Sequence, residues 1–260
     1  MVRVAVCAKQ IPGPDTPADI DPVSGCLMRE RPFVLDDSDS YGIEIALRLV
    51  EQAGAGDVTV VSMVPDGESD GLRTALAMGA DRAVVVSDPA LAGSDALGTA
   101  KVLAAAVRRA GAELLVAATE STDGYTGTVP VQTAELLGWP AVSFARHLEI
   151  SGRTLLVHRQ TETGFDEVTC PLPAVVSVTA GVVEVRYPSF RGIMAARSKP
   201  VEQIDLADLG LSPGDVGALG ARQEVVRVEE AEARASGKVV TDDGTAAEQV
   251  VALLETWKVL

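Results

Sequence analysis

The sequence predicts an α/β protein with a mostly parallel, Rossmann-like sheet of the adenine-nucleotide-binding type and an extended C-terminal arm. Apolar and helix-like runs alternate through the first 140 residues, which is typical of parallel strands joined by helices. The first apolar run, residues 2–8, has the near-continuous hydrophobicity of a strand buried on both faces. Hydrophobic residues make up 47% of the 260 residues, enough to build a sizeable core.

The elements of this first part follow in chain order. Residues 9–36 form a polar, proline-rich loop, and loops of that length in compact domains are usually functional or mobile. Residues 37–51 are predicted to be a helix, because acidic and serine residues stand at their start and apolar residues recur at helical spacing. The further predicted elements are strands at 57–63, 82–86 and 113–118, and helices at 69–78, 96–110 and 126–137.

The pattern changes at about residue 142. Short β segments at 155–159 and 167–170 lie on either side of Gly164, and we predict a β-hairpin followed by a return strand at 174–179 in the same sheet. Residues 201–240 are polar and acidic with little periodicity, and they are expected to form an extended arm before a short helix at 246–257. We therefore assign residues 1–205 to the α/β domain and 206–260 to the arm and helix. Such arms usually wrap a partner.

Charge and composition exclude several classes of function. The formal net charge is −15, with no block of Lys or Arg, which argues against nucleic acid as a partner. Three dispersed cysteines and a start without signal-peptide character predict a cytoplasmic protein, and two histidines argue against a metal site. No apolar run approaches the roughly 18 residues of a transmembrane segment. No catalytic set of Ser/His/Asp, paired carboxylates or activated Cys can be assembled, so we predict that the chain is not an enzyme.

The loop ATESTDGYTGTVP, residues 118–130, is the strongest candidate for a ligand site. It lies at the carboxyl end of the fourth strand, where open α/β sheets bind ligands. Gly124 and Gly127 let the backbone approach a ligand closely, and the next helix offers free N–H groups to phosphate. We expect Asp123 to orient the loop. The alternative is a plain helix-capping loop of small polar residues.

The segment VVEVRYPSFRGIMAARSK, residues 182–199, has the composition of a protein-binding surface. It combines aromatic, Ile and Met side chains with Arg and Lys, as binding patches do. The alternative is an ordinary edge loop over the core. Because the segment is locally positive on an acidic chain, it favours recognition of acidic or mixed protein surfaces.

The segment RYPSFRGIMAARSK, residues 186–199, closely resembles the partner-recognition loop of the electron transfer flavoprotein (ETF) β subunit. RTALAMGADRAVVV at 73–86 and HRQTETGFDEVTCPLPAVVS at 158–177 resemble the same family, and ALRLVE at 46–51 and LLGWP at 136–140 agree more weakly. The matches occur in the same order from residue 2 to about 205. Any one of them could be chance, but the ordered set is specific.

This resemblance implies a role in electron transport and in fatty acid β-oxidation. ETFs are αβ heterodimers in which the α subunit holds most contacts to a redox-active FAD, while most β subunits bind AMP as a structural cofactor. Such a carrier accepts electrons from flavin dehydrogenases, such as acyl-CoA dehydrogenases, and passes them to a membrane ETF:quinone oxidoreductase. Residues 206–260 would then pack on the α subunit.

Site residues carry over by position. The implied AMP contacts are Ala8, the run from Asp36 to Asp39, Met63, and the loop Ala118, Thr119, Glu120, Ser121, Thr122, Asp123, Gly124, Tyr125, Thr126, Gly127, Thr128 and Val129. Residues 181–205 would be the recognition loop, with Phe190 as its apolar anchor. Its partner-binding residues would be Arg186, Tyr187, Phe190, Arg191, Ile193 and Met194.

Two features leave alternatives open. The run DDSDS at 36–40 departs from the Asn-Pro pair common in the family; it would repel phosphate but could accept hydrogen bonds from ribose hydroxyls or the adenine amine. TDGYTG at 122–127 resembles the electron-bifurcating branch, in which a second FAD replaces AMP. We favour AMP. A stand-alone adenine-nucleotide-binding protein with the same fold, or a structural subunit with a vestigial nucleotide loop, are the remaining alternatives.

Overall fold

The computed structural model describes residues 1–13, 15, 19–29, 32–64, 66–229, 237 and 239–260. Its strands are β1 (Val2–Cys7), β2 (Gln10–Pro12), β3 (Phe33–Leu35), β4 (Gly56–Val64), β5 (Arg82–Ser87), β6 (Leu114–Ala118), β7 (Ala141–Ser151), β8 (Thr154–Gln160), β9 (Phe165–Pro171), β10 (Ala174–Val178) and β11 (Val201–Ile204). Its helices are α1 (Asp37–Ala53), α2 (Leu72–Met78), α3 (Ala96–Ala110), α4 (Val129–Leu137), α5 (Phe190–Ala196), α6 (Gly217–Gly220) and α7 (Ala246–Thr256).

Nine of these strands form one sheet in the order β11-β5-β4-β1-β6-β10-β7-β8-β9. Pairing is parallel from β11 to β7 and antiparallel among β7, β8 and β9. Every residue of the central strands β6 and β10 is buried, as expected of parallel strands covered on both faces. The predicted Rossmann-like α/β fold is confirmed.

Helices cover both faces of the sheet and divide the core into two layers. Helices α1 and α2 pack on one face through side chains such as Ile43 and Leu76. Helices α3 and α4 pack on the other face through side chains such as Val102 and Ala134. The apolar spacing predicted for α1 therefore corresponds to its buried stripe.

The connectivity creates a switch point beside β1. The chain passes from β1 to β4 and β5 on one side, then returns to place β6 on the other side of β1. In open α/β sheets, ligands bind outside the carboxyl ends of the strands at such a reversal. The segments that leave β1 and β6 therefore mark the expected binding crevice.

Three expectations from the sequence need correction. The loop 9–36 contains a small antiparallel pair, β2 with β3, which brings Lys9 next to Asp36: the Asp36 amide donates to the Lys9 carbonyl at 3.0 Å. The sequence predicts no strand between residues 142 and 154, whereas Ala141–Ser151 form the eleven-residue strand β7. The third correction concerns the start of the expected arm. Residues 201–204 form the edge strand β11, which pairs in parallel with β5.

The chain then stays on the α/β domain as far as Arg222. Leu206 and Val216 are buried in the second core layer. The amides of Gly217 and Arg222 donate to Ser94 and Asp95, at 2.8 and 2.7 Å. The chain divides into two compact units, residues 1–225 and 226–260. The second unit contains α7, and residues 230–236 and 238 of the expected arm lie outside the described residues.

Candidate functional site

The loop that follows β6 is fastened to the start of α1 by the buried carboxylate of Asp36. This side chain caps α1 by accepting from the amide and hydroxyl of Ser38, at 3.0 and 2.7 Å. It also accepts from the amide and hydroxyl of Thr122 in the loop, at 2.7 and 3.1 Å. The hydroxyl of Ser38 donates to the Glu120 carbonyl at 3.1 Å. Two segments predicted separately as ligand contacts are therefore one hydrogen-bonded unit.

A cationic cluster lies at the same place. Lys9, two residues after the end of β1, donates from its ammonium to the carboxylate of Asp123 at 2.5 Å and to the hydroxyl of Ser121 at 3.1 Å. The guanidinium of Arg29 reaches the other carboxylate oxygen at 3.0 Å. Burial alone would raise the pKa of Asp123, but the hydrogen bond and charge of Lys9 and the charge of Arg29 hold it below its usual value. Two cations therefore face the carboxylate of Asp123, while the carboxylate of Asp36 lies behind the same loop.

Of the two glycines in the 118–130 loop, only Gly127 has a backbone conformation that favours glycine. Gly127 has φ +69°, which favours glycine, and the exposed Tyr125 also lies in the left-handed region with φ +48°. Gly124 needs no such conformation. Within the described chain, no side chain caps the start of α4. Pro130 has no N–H, so the amides of Val129 and Val131 are the first-turn donors available to an anion.

Asp39 is almost completely buried behind this crevice. Its carboxylate accepts from the Lys9 amide at 2.6 Å. Burial raises the pKa of Asp39 to about 8, and the negative charges of Asp36 and Asp123 add to this, while the Lys9 amide and ammonium partly oppose it. Cys7 of β1 also faces Asp39. Burial raises the pKa of the Cys7 thiol, and the charge of Asp39 adds to this effect.

We predict that Asp39 makes stability fall as pH rises. A carboxyl whose pKa is higher in the folded chain binds more protons when folded, so the free energy of unfolding decreases between about pH 4 and pH 8. Asp39→Asn keeps an acceptor for the Lys9 amide and removes the titration. It should therefore stabilise the protein at pH 8 relative to pH 5 by about 1–3 kcal/mol, since one pKa unit corresponds to about 1.4 kcal/mol.

Urea unfolding of both proteins at pH 5 and pH 8 measures this difference. The exposed neighbour Asp37 provides the control, and Asp37→Asn should leave the pH dependence unchanged. The same pH slope in wild-type and Asp39→Asn protein would show that Asp39 is ionised throughout this range.

The structure brings most of the predicted ligand residues together and adds two cations. The loop 118–129 and the start of α1 are joined as described, and Ala8 directly follows β1, with its amide donating to the Val61 carbonyl at 2.9 Å. Met63 is half-buried near the end of β4. Sequence reasoning missed Lys9 and Arg29. The position of Lys9 directly after a predicted strand at the sheet edge was a usable signal, whereas Arg29 had none.

Residues 181–205, which we call the docking segment, contain the short helix α5. Tyr187 and Phe190 are 95% and 81% exposed, and Ile193 and Met194 are each about half exposed. The expected binding surface is therefore presented to solvent, on a helix that the sequence did not predict. Arg191 is also exposed. Arg186, in contrast, is engaged within the chain by Glu44 and Glu51.

A mostly apolar cavity of about 530 Å³ lies between α2 and the docking segment. Ala77, Pro188, Ile193 and Ala196 are among its lining residues, and the arginines Arg73 and Arg197 also line it. The lining contains no acidic side chain, so this cavity is locally positive on an otherwise acidic protein.

The two histidines form no metal-binding cluster with acidic side chains in the described part of the chain. His147 and His158 lie on neighbouring strands with ring centroids 5.0 Å apart, and each faces a glutamate. Among the described residues, no cluster of three His, Cys, Asp or Glu side chains has a metal-binding arrangement. The described helices include none with the length and apolar character required to span a membrane.

Comparison with known proteins gives a consistent result. The family model described as the electron transfer flavoprotein domain matches residues 25–209. The protein named electron transfer flavoprotein subunit beta from Mycobacterium tuberculosis is 36% identical over 268 aligned positions, which cover 100% of both chains.

Two further relatives come from other organisms. The protein of Acetobacterium woodii named caffeyl-CoA reductase-Etf complex subunit CarD is 33% identical, covering 97% of this chain and 96% of its own length. The electron transfer flavoprotein subunit beta of Methylophilus methylotrophus is 33% identical, covering 86% of this chain and 85% of its own length.

Proposed function

This chain belongs to the electron transfer flavoprotein family as a β subunit, and from that premise we propose that it is one half of a heterodimeric electron carrier. Its partner is an α subunit that holds most of the contacts to a redox-active FAD. The heterodimer accepts electrons from flavin dehydrogenases, such as acyl-CoA dehydrogenases, and delivers them to a membrane quinone oxidoreductase. The chain carries no catalytic residue of its own.

The observation that carries this proposal is the group of possible phosphate and ribose partners at the switch point of the sheet. It combines an uncapped helix start at α4, the two cations Lys9 and Arg29, and a loop rich in hydroxyl groups. These groups fit a nucleoside monophosphate. The phosphate needs N–H donors and cations, and the ribose and adenine need small polar partners.

Within this site the residues divide into contacts and supports. Lys9, Arg29 and the amides at the start of α4 would hold the phosphate of AMP, while Ser121, Thr126 and Thr128 offer hydroxyls. Asp36 and Asp39 act from behind, because both carboxylates are buried and already accept hydrogen bonds from protein groups. This role differs from the direct contact with ribose or adenine that the sequence predicted.

The FAD of the heterodimer supplies the one- and two-electron chemistry of the carrier. This chain contributes the docking segment, whose exposed Phe190 is the apolar anchor that inserts into the dehydrogenase. A few central apolar anchors commonly carry most of the energy of such an interface.

Cofactor content tests the proposal. We expect acid release from this chain, co-expressed with the α subunit of the same organism, to yield one FAD and one AMP per heterodimer when separated by chromatography. Protein without AMP or any second nucleotide would contradict the assignment of the 118–129 loop.

The same measurement of cofactor content distinguishes an AMP-binding β subunit from a β subunit of the electron-bifurcating branch. The relative in the caffeyl-CoA reductase-Etf complex shows that proteins similar to this chain serve in complexes of a different name. Two FAD and no AMP would move this chain to the bifurcating branch, with the 118–129 loop as a second flavin site. A homodimer that is stable without an α subunit would instead favour the stand-alone nucleotide-binding protein.

A further inference from the structure

We propose that Arg186 is a positioning residue that fixes the docking segment on α1, rather than a residue that touches the dehydrogenase. This inference rests on the docking function proposed above. Arg186 was predicted from the sequence to be among the residues that contact the partner, and this inference gives it a different role.

The contacts of Arg186 account for all of its guanidinium nitrogens. Nε donates to one carboxylate oxygen of Glu44 at 2.6 Å, and Nη2 donates to the other at 3.2 Å. Nη1 and Nη2 donate to the two oxygens of Glu51, at 2.7 and 3.2 Å. The backbone amide of Arg186 also donates to Glu44 at 3.3 Å. This forked geometry is available to Arg and not to Lys.

Glu44 is a fixed anchor because it is 1% exposed within α1. Burial alone would raise its pKa, but hydrogen bonds from Arg186 and Arg48 outweigh burial and leave the pKa below its usual value. The hydrogen bonds to Glu51 and Glu44 in turn raise the pKa of Arg186. Arg48 also donates to the Glu184 carbonyl at 2.9 Å, so α1 holds two neighbouring residues of the docking segment.

The other end of the docking segment is fastened to α2. The ammonium of Lys199 donates to the carbonyls of Leu76, Gly79 and Ala80 at the end of that helix, at 3.0, 3.1 and 2.6 Å. Between the two ends, α5 lies so close to α2 that a Cβ at Gly192 would stand 2.4 Å from the Ala77 carbonyl oxygen.

The exposed side chains of Tyr187 and Phe190 therefore lie on a segment that is hydrogen-bonded to α1 on one side and to α2 on the other. Tyr187 and Phe190 have few contacts of their own, so their direction depends on Arg186 and α5. A preorganised segment loses less conformational entropy on binding, which raises affinity without a new contact. Loss of the Arg186 hydrogen bonds should lower the affinity for the dehydrogenase. The rate of electron transfer within the bound complex should not change.

The experiment compares Arg186→Gln with wild type as the intact heterodimer, using reduction by an acyl-CoA dehydrogenase of the same organism. We expect KM for the carrier to rise roughly three- to ten-fold, the scale of ordering one side chain, with kcat, FAD and AMP content unchanged. Hydrogen exchange of the amides at 187–196 should become faster, while that of β1 and β6 should not. Glu51→Gln should give a smaller change of the same kind.

Two further variants separate positioning from charge. Arg153→Gln removes a single-contact, more exposed arginine–glutamate pair with Glu113, outside the docking segment, and should change nothing. Arg186→Lys keeps the charge but not the fork. If Lys restored normal KM while exchange stayed fast, Arg186 would act as a charge toward the partner, and the inference would be overturned.

Phe190→Ala distinguishes failure of this inference from failure of the docking function. Slow kinetics for Phe190→Ala with normal kinetics for Arg186→Gln would leave docking in place and overturn the positioning role. Normal kinetics for both variants would remove the docking function itself, and the positioning role with it.

Discussion

Phe190→Ala is expected to lower kcat/KM for electron acceptance from an acyl-CoA dehydrogenase by roughly 30-fold, because truncating a central apolar anchor typically costs about 2 kcal/mol. Phe190 is 81% exposed on α5, so its side chain contributes little to the fold and can be removed without a cavity. The loss should appear in KM, since the anchor acts in association. Stopped-flow reduction of the heterodimer at several carrier concentrations measures both constants.

The matched control is Leu219→Ala. Leu219 is an apolar side chain that is 82% exposed on α6, outside the docking segment. We expect this variant to behave as wild type, with the same FAD and AMP content as Phe190→Ala. Unchanged dehydrogenase kinetics in Phe190→Ala would show that the dehydrogenase binds elsewhere on the heterodimer.

The sequence predicted the central elements because their signals are local. Helix α3 begins and ends where predicted, since Asp95 caps its start, the left-handed Gly111 ends it, and apolar residues recur between them. Strand β6 was recognisable because all of its residues are buried and apolar. The position of the 118–129 loop followed from the same pattern, since a loop after a central parallel strand lies at the binding edge.

Elements that depend on tertiary contacts were not predictable in the same way. Helix α5 has only seven residues and includes Gly192, so it has little intrinsic helical stability and depends on its packing against α2. Strand β11 is a four-residue edge strand with a single buried residue, Ile204, and its sequence lacks the apolar character of the central strands. Both lie in segments whose composition indicated a loop or an arm.

The same limit applies to the charged side chains of the site. Lys9 and Asp123 are 114 residues apart in the chain, and Arg186 and Glu44 are 142 apart. Such pairs follow from the topology and not from local spacing. Composition therefore assigned Arg186 to the partner surface, where the structure shows it bound to α1.

Gly127→Val is expected to weaken AMP binding by roughly 10- to 100-fold, because a β-branched residue in the left-handed region costs about 1–3 kcal/mol. Gly127 has φ +69° one residue before Thr128, where the loop turns into the uncapped start of α4. Relief of that strain would turn the α4 amides away from the phosphate. Acid-released AMP per heterodimer after long dialysis, with titration of AMP into the depleted protein, measures the loss.

Gly138→Val separates loss of the site from loss of stability. Gly138 has φ +71° at the far end of α4, and a Cβ there would meet nothing within 4 Å. The two variants thus impose nearly the same backbone strain on opposite ends of one helix, and both should lower the melting temperature. Only Gly127→Val should lose AMP, because Gly127 lies in the loop proposed to hold the phosphate and Gly138 does not. Equal AMP content in the two variants would place the nucleotide away from the 118–129 loop, even if both were destabilised.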